Sequence, residues 1–91
     1  MSKKAEIGWE RRLEDGTRLE VYVHHTGGRF RFYARAKRFE EWQPLAEPPL
    51  ADWLELLDAV RRRVQRRKLM PDDEKRLRAS IRERFPEAEL R

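Results

Sequence analysis

Residues 29–38 read RFRFYARAKR, and the first nine of them alternate with a period of two. Read as a strand, the segment places Phe30, Phe32, Ala34 and Ala36 on one face. Arg29, Arg31, Tyr33, Arg35 and Lys37 fall on the other. The first face can enter a core. The second is cationic, carries an aromatic at its centre and contains no acid. Such a surface suits a polyanion, and nucleic acid is the ligand it fits best.

The flanking sequence supplies partners for this strand. Residues 7–13 form a first strand in which Ile7, Trp9 and Leu13 share a face, with Arg11 as the odd member. Glu14, Asp15 and Gly16 give a hairpin signal. Residues 17–25 form a second strand, with Leu19, Val21 and Val23 pointing one way and Arg18, Glu20, Tyr22 and His24 the other. A two-residue Gly27-Gly28 turn then pairs Thr26 with Arg29. It places Val23 opposite Phe32, Val21 opposite Ala34 and Leu19 opposite Ala36. On the other face Tyr22 meets Tyr33, His24 meets Arg31, and Glu20 meets Arg35. Both faces stay consistent, which a shifted register would not allow. For the first hairpin, a two-residue Asp15-Gly16 loop would mix the faces. A three-residue loop over 14–16 instead pairs Leu13 with Thr17 and Trp9 with Val21, and wants Gly in the left-handed position, where Gly16 stands.

Residues 38–45 admit either a short fourth strand or an irregular edge, since Phe39 and Trp42 have a helical spacing. Pro44, Pro48 and Pro49 mark a connecting loop. A helix is expected over 50–68, with Leu50, Trp53, Leu54, Leu57, Val60 and Val64 as its apolar stripe. Acids occupy its early half and six cations crowd 61–68, a polarity that suits the helix dipole. A second helix over 71–85 opens with Pro71 and three acids, carries Leu77, Ile81 and Phe85 every fourth residue, and stops at Pro86. The expectation is one α+β domain: a three- or four-stranded antiparallel meander sheet covered on one face by a C-terminal helical hairpin, with residues 1–6 frayed.

With 91 residues such a domain buries roughly 60–65% of its unfolded surface, so its core is thin. Only 38% of residues are hydrophobic and 43% are charged, a balance that raises the question of disorder. The periodic apolar residues, three Trp and four Phe among them, argue against it. The net charge is +5, and seventeen of the 22 cations are Arg. Arg gives bidentate contact to phosphate and stacks on rings, although a GC-rich genome produces the same bias. The chain has no Cys, hence no disulfide and no thiolate chemistry. No apolar run can span a bilayer. The basic start at Lys3 and Lys4 lacks a following apolar segment, so a cytoplasmic location is expected.

Four features could carry chemistry. The candidate binding surface is the open sheet face: Arg18, Tyr22, His24, Arg29, Arg31, Tyr33, Arg35 and Lys37. Its cations would hold phosphates and its rings would stack bases, worth about 1–3 kcal/mol per base and favouring single strands. The plain alternative is a solvated outer face, and Glu10 and Glu20 on that face favour it. The basic run over 61–68 offers phosphate contacts, but dipole complementation and pairing with Asp72, Asp73 and Glu74 explain it more simply. His24 and His25 point to opposite faces and cannot readily share a metal. Ser2 and Ser80 have no catalytic neighbour, so no catalytic residue, metal or cofactor is expected. Trp42 and the stripe of Leu77, Ile81 and Phe85 would suit a homodimer interface, unless the second helix simply packs beside the first.

The order strand, strand, strand, possible strand, amphipathic helix resembles the PUR repeat and the PC4-like coactivator fold. The residues that carry the likeness are Gly28 to Arg35 (GRFRFYAR) and Trp53 to Val60 (WLELLDAV), within residues 7–66. The resemblance implies single-stranded nucleic acid bound on a curved sheet, with dimers or paired repeats. It implies that the open-face residues above line the groove. The second helix departs from that pattern. The expected function is therefore non-catalytic binding of single-stranded DNA or RNA. The alternatives are a protein–protein adaptor for an acidic partner and a small nuclease dependent on His24.

Overall fold

The computed structural model describes residues 7–26, 28–36 and 40–90. The expectations on residues 1–6, Gly27, Lys37 and Phe39 concern positions outside this set. The described residues group into two compact units, one ending at Glu47 and one beginning at Pro48.

The first unit is a four-stranded antiparallel sheet in the order β1-β2-β3-β4. Its strands are β1 (Ile7–Arg12), β2 (Arg18–Thr26), β3 (Arg29–Arg35) and β4 (Gln43–Pro44). The β2–β3 register sets Val23 opposite Phe32, Tyr22 opposite Tyr33, His24 opposite Arg31 and Thr26 opposite Arg29, as the turn length requires. Gly28, in the connecting turn, has φ 76°. The β1–β2 loop spans the three residues 14–16. Leu13 N–H donates to Thr17 O at 2.8 Å, Gly16 N–H donates to Leu13 O at 2.9 Å, and Gly16 has φ +89°. Asp15 Oδ1 accepts a hydrogen bond from Thr17 N–H at 2.9 Å. That bond holds the Asp15 carboxyl below its ordinary value of 3.8.

This register sorts the residues. Ile7, Val21, Val23 and Phe32 share a face and are buried, each contributing about 1.5–3 kcal/mol. Trp9 meets the Phe32 ring edge-on at 6.4 Å on the same side. Leu13 lies just past the end of β1 and is 38% exposed, so the first strand stops one residue short of the expected 7–13. The fourth strand exists but is only two residues long. Pro44 stands opposite Tyr33, and Leu45 N–H donates to Phe32 O at 2.9 Å. Proline has no N–H to offer and is tolerated there because β4 is an edge.

The second unit contains α1 (Leu50–Gln65) and α2 (Pro71–Arg84). Arg61 reaches Glu74 at 3.8 Å, while the Arg84 guanidinium lies 4.9 Å from the centre of the Trp53 ring. The end of one helix therefore meets the start of the other, and the pair is an antiparallel hairpin. Glu74 also accepts from Arg78 at 3.0 Å, so one carboxylate serves both helices. Asp73 accepts from Met70 N–H at 3.0 Å and closes the first turn of α2 behind Pro71.

Two details of α1 differ from expectation. The buried set is Asp52, Trp53, Leu56, Leu57, Ala59 and Val60, whereas Leu54 is 38% exposed. At 100° per residue these six span roughly 160°, wider than one stripe and centred near Leu56 and Val60. With Leu at 50, 54, 56 and 57, two phases of the stripe fit the sequence equally well, and packing selects the second. The helix also ends three residues early. Lys68 N–H donates to Arg63 O at 2.8 Å and Arg67 N–H to Val64 O at 2.9 Å, the two bonds of a Schellman motif. The residue in its left-handed position is not glycine but Arg67, with φ 62°. No helix of the described residues is long and apolar enough to cross a membrane.

Candidate nucleic-acid interface

Strand parity and the observed register place Arg18, Tyr22, His24, Arg29, Arg31, Tyr33 and Arg35 on the face opposite the buried residues. Lys37 lies outside the described residues. The seven side chains are nevertheless in different states, and the face divides into three zones.

At the hairpin end, Arg29, Arg31 and His24 are exposed. Arg29 and Arg31 make no ion pair among the described residues, so their charge is available to a ligand. The Tyr22 hydroxyl lies 3.4 Å from His24 Nδ1.

In the middle sits an aromatic cluster. Tyr22 and Tyr33 are a cross-strand pair with ring centres 5.6 Å apart. Trp42 extends the cluster, 5.3 Å from Tyr22 and tilted by 41°. Aromatic pairs at these centroid distances add about 0.5–1.5 kcal/mol beyond burial. The three rings are half-buried, so part of each remains accessible. Trp42 belongs to this face although the sequence suggested it only as surplus surface hydrophobicity. The sequence carries no signal for this: Trp42 shares parity with Pro44, but the pairing of Pro44 with Tyr33 is seen only in the structure.

Toward the other end, cations meet acids. Glu10 and Glu20 stand directly opposite each other on β1 and β2, a repulsive arrangement in itself. Each is offset by an arginine. Glu20 accepts from Arg35 Nε at 2.6 Å, and Arg18 Nε lies 3.7 Å from Glu10. The Arg35 guanidinium also lies over the Trp42 ring, 4.2 Å from its centre, a cation–π contact. Arg18 and Arg35 are thus engaged within the sheet. Arg35 braces Trp42 and Glu20 and is poorly free to bind a phosphate.

Beside the rings lies a shallow depression of about 410 Å³, with Gly8 in its floor and Tyr22, Trp42, Glu10 and Glu20 around it. Gly8 pairs with Tyr22 on the adjacent strand. A Cβ at position 8 would come within 3.1 Å of the Val21 carbonyl oxygen, so the position accepts a side chain only if the strand shifts.

The other sequence candidates fall elsewhere. His25 stacks on Phe30 at 4.3 Å on the opposite face from His24, so the two histidines do not converge. Among the described residues, no group of three or more His, Asp or Glu side chains is placed to hold a metal ion. In the basic run over 61–68, Arg61 pairs with Glu74 and Arg62 with Asp58, while Arg63 donates to Ala59 O at 3.3 Å.

No protein-family model, curated protein or solved structure matches this chain.

Proposed function

We propose that the open face of the sheet binds single-stranded nucleic acid without catalysis. The observation that carries this reading is the adjacency of Tyr22, Tyr33 and Trp42 on one half-exposed surface, with Arg29 and Arg31, exposed and without an ion pair among the described residues, beside them. Rings presented at a surface stack on unstacked bases and gain nothing from duplex bases, which are already stacked. Arg29 and Arg31 would hold phosphates, with His24 at their side. Arg18 and Arg35 take a supporting part, since both are engaged with carboxylates. An acidic protein partner would use the same two arginines but would leave the three rings without a role.

The test is fluorescence polarisation with single-stranded and duplex oligonucleotides at two salt concentrations. Arg29→Glu with Arg31→Glu is expected to abolish binding and leave the circular dichroism unchanged. Trp42→Ala is expected to weaken single-strand binding by about tenfold, the lower part of the range for one stacked base. Binding that prefers duplex, or that survives the double charge reversal, refutes the proposal.

A further inference from the structure

We propose that residues 66–68, at the turn between α1 and α2, form a second contact surface for the phosphate backbone of nucleic acid. The basic run of α1 divides in two. Arg61, Arg62 and Arg63 are committed to Glu74, Asp58 and the Ala59 carbonyl. Arg66, Arg67 and Lys68 are all exposed and make no ion pair or side-chain hydrogen bond among the described residues. Of the acids that open α2, Asp73 is held by the Met70 N–H and Glu74 by Arg78 and Arg61. Asp72 is exposed and makes no ion pair with these cations among the described residues, and three cations against one acid leave residues 66–72 with a positive excess.

The simpler account is that these cations complement the helix dipole. Arg62 and Arg63 already occupy the last turn and serve that purpose. The dipole also gives no reason for Arg67 itself. Its φ of 62° belongs to the position where a Schellman motif ordinarily carries glycine. A side chain standing where the backbone disfavours one is a strained residue, and strain of this kind gathers at functional positions. A guanidinium at the tip of the turn, flanked by Arg66 and Lys68, is what a phosphate contact needs.

The test uses the full chain, an oligothymidylate single strand and a salt titration. Three phosphate contacts contribute about 2 to the slope of log K against log salt, at roughly 0.7 each. Arg66→Ala/Arg67→Ala/Lys68→Ala should therefore flatten the slope by about 2 and weaken binding up to about a hundredfold at 0.1 M salt. Arg67→Gly, which relieves the backbone, should fold at least as well and bind about fivefold more weakly. Unchanged slope and affinity in both variants overturn the second surface, and leave the sheet reading intact if Arg29→Glu/Arg31→Glu still abolishes binding. Loss of binding in the turn variants alone supports the second surface and removes the sheet from the site. Absence of binding by the native chain overturns both.

Discussion

Replacing Arg67 tests whether the α1–α2 turn stores backbone strain. An L-residue in the left-handed region costs about 1–2 kcal/mol, because its Cβ crowds the following carbonyl. Arg67 sits there with φ 62°, held by two hydrogen bonds whose carbonyls belong to Arg63 and Val64. Glycine relieves the crowding but restores about 0.5–1 kcal/mol of freedom to the unfolded chain. The net expected gain is about 0.5–1 kcal/mol, or roughly 2–8 °C in Tm for a chain of this size. Loss of the positive charge near a helix C-terminus acts the other way, by a few tenths of a kcal/mol at low salt. Arg67→Ala isolates that part, since it removes the charge and keeps the Cβ. Urea and thermal unfolding followed at 222 nm should rank the variants Gly, then Arg, then Ala, with about 1 kcal/mol between Gly and Ala. If Arg67→Gly is no more stable than Arg67→Ala, the strain argument fails.

Other expectations address the core, the hairpin and pH. Leu56→Ala and Ile81→Ala each remove a side chain that is 0% exposed, and should cost about 2–5 kcal/mol in urea unfolding. Gly16→Ala should cost about 1–2 kcal/mol at its φ of +89°, and a neutral result would mean that the loop adopts another turn. The Asp15 carboxyl is held low by the Thr17 N–H, so its contribution is present above the unfolded value near 3.8 and lost as pH falls through the lower folded value. Asp15→Asn should therefore flatten the acid limb of the stability profile, and an unaltered limb would remove this hydrogen bond from the account. Arg35→Ala should shift the Trp42 fluorescence and weaken single-strand binding through the loss of its brace on that ring, with a smaller change in salt slope than Arg31→Ala gives.

The sheet was legible because two independent signals agreed. Alternation in residues 17–25 and 29–37 defines the faces, and the glycines fix loop lengths that leave only one register compatible with both. The ion pair of Glu20 with Arg35 followed from that register. The pairing of Arg18 with Glu10 was less visible, because the two are diagonal neighbours on adjacent strands. The place of Trp42 beside Tyr22 is not legible in the sequence, because a two-residue strand has no period of its own and the spacing from Phe39 imitates a helix. In α1 the leucines at 54 and 56 offered two phases, and the choice lies in packing rather than pattern. The helix end was hidden for a related reason: the residue that should have announced it is an arginine in a run of cations.

The three-residue loop at 14–16 has a consequence for how this chain can change over time. Because side chains alternate along β1, the loop's length acts as a parity bit. Deleting or inserting one residue there forces a choice. Either the hydrogen-bond ladder shifts, and Ile7 and Trp9 exchange sides with Gly8 and Glu10, or a new bulge absorbs the change. Single-residue length variants at this loop should thus be selected against more strongly than two-residue ones. Of its three residues, Asp15 is tied to the Thr17 N–H and Gly16 to its positive φ, so only Glu14 is free to drift in composition, while their number is fixed.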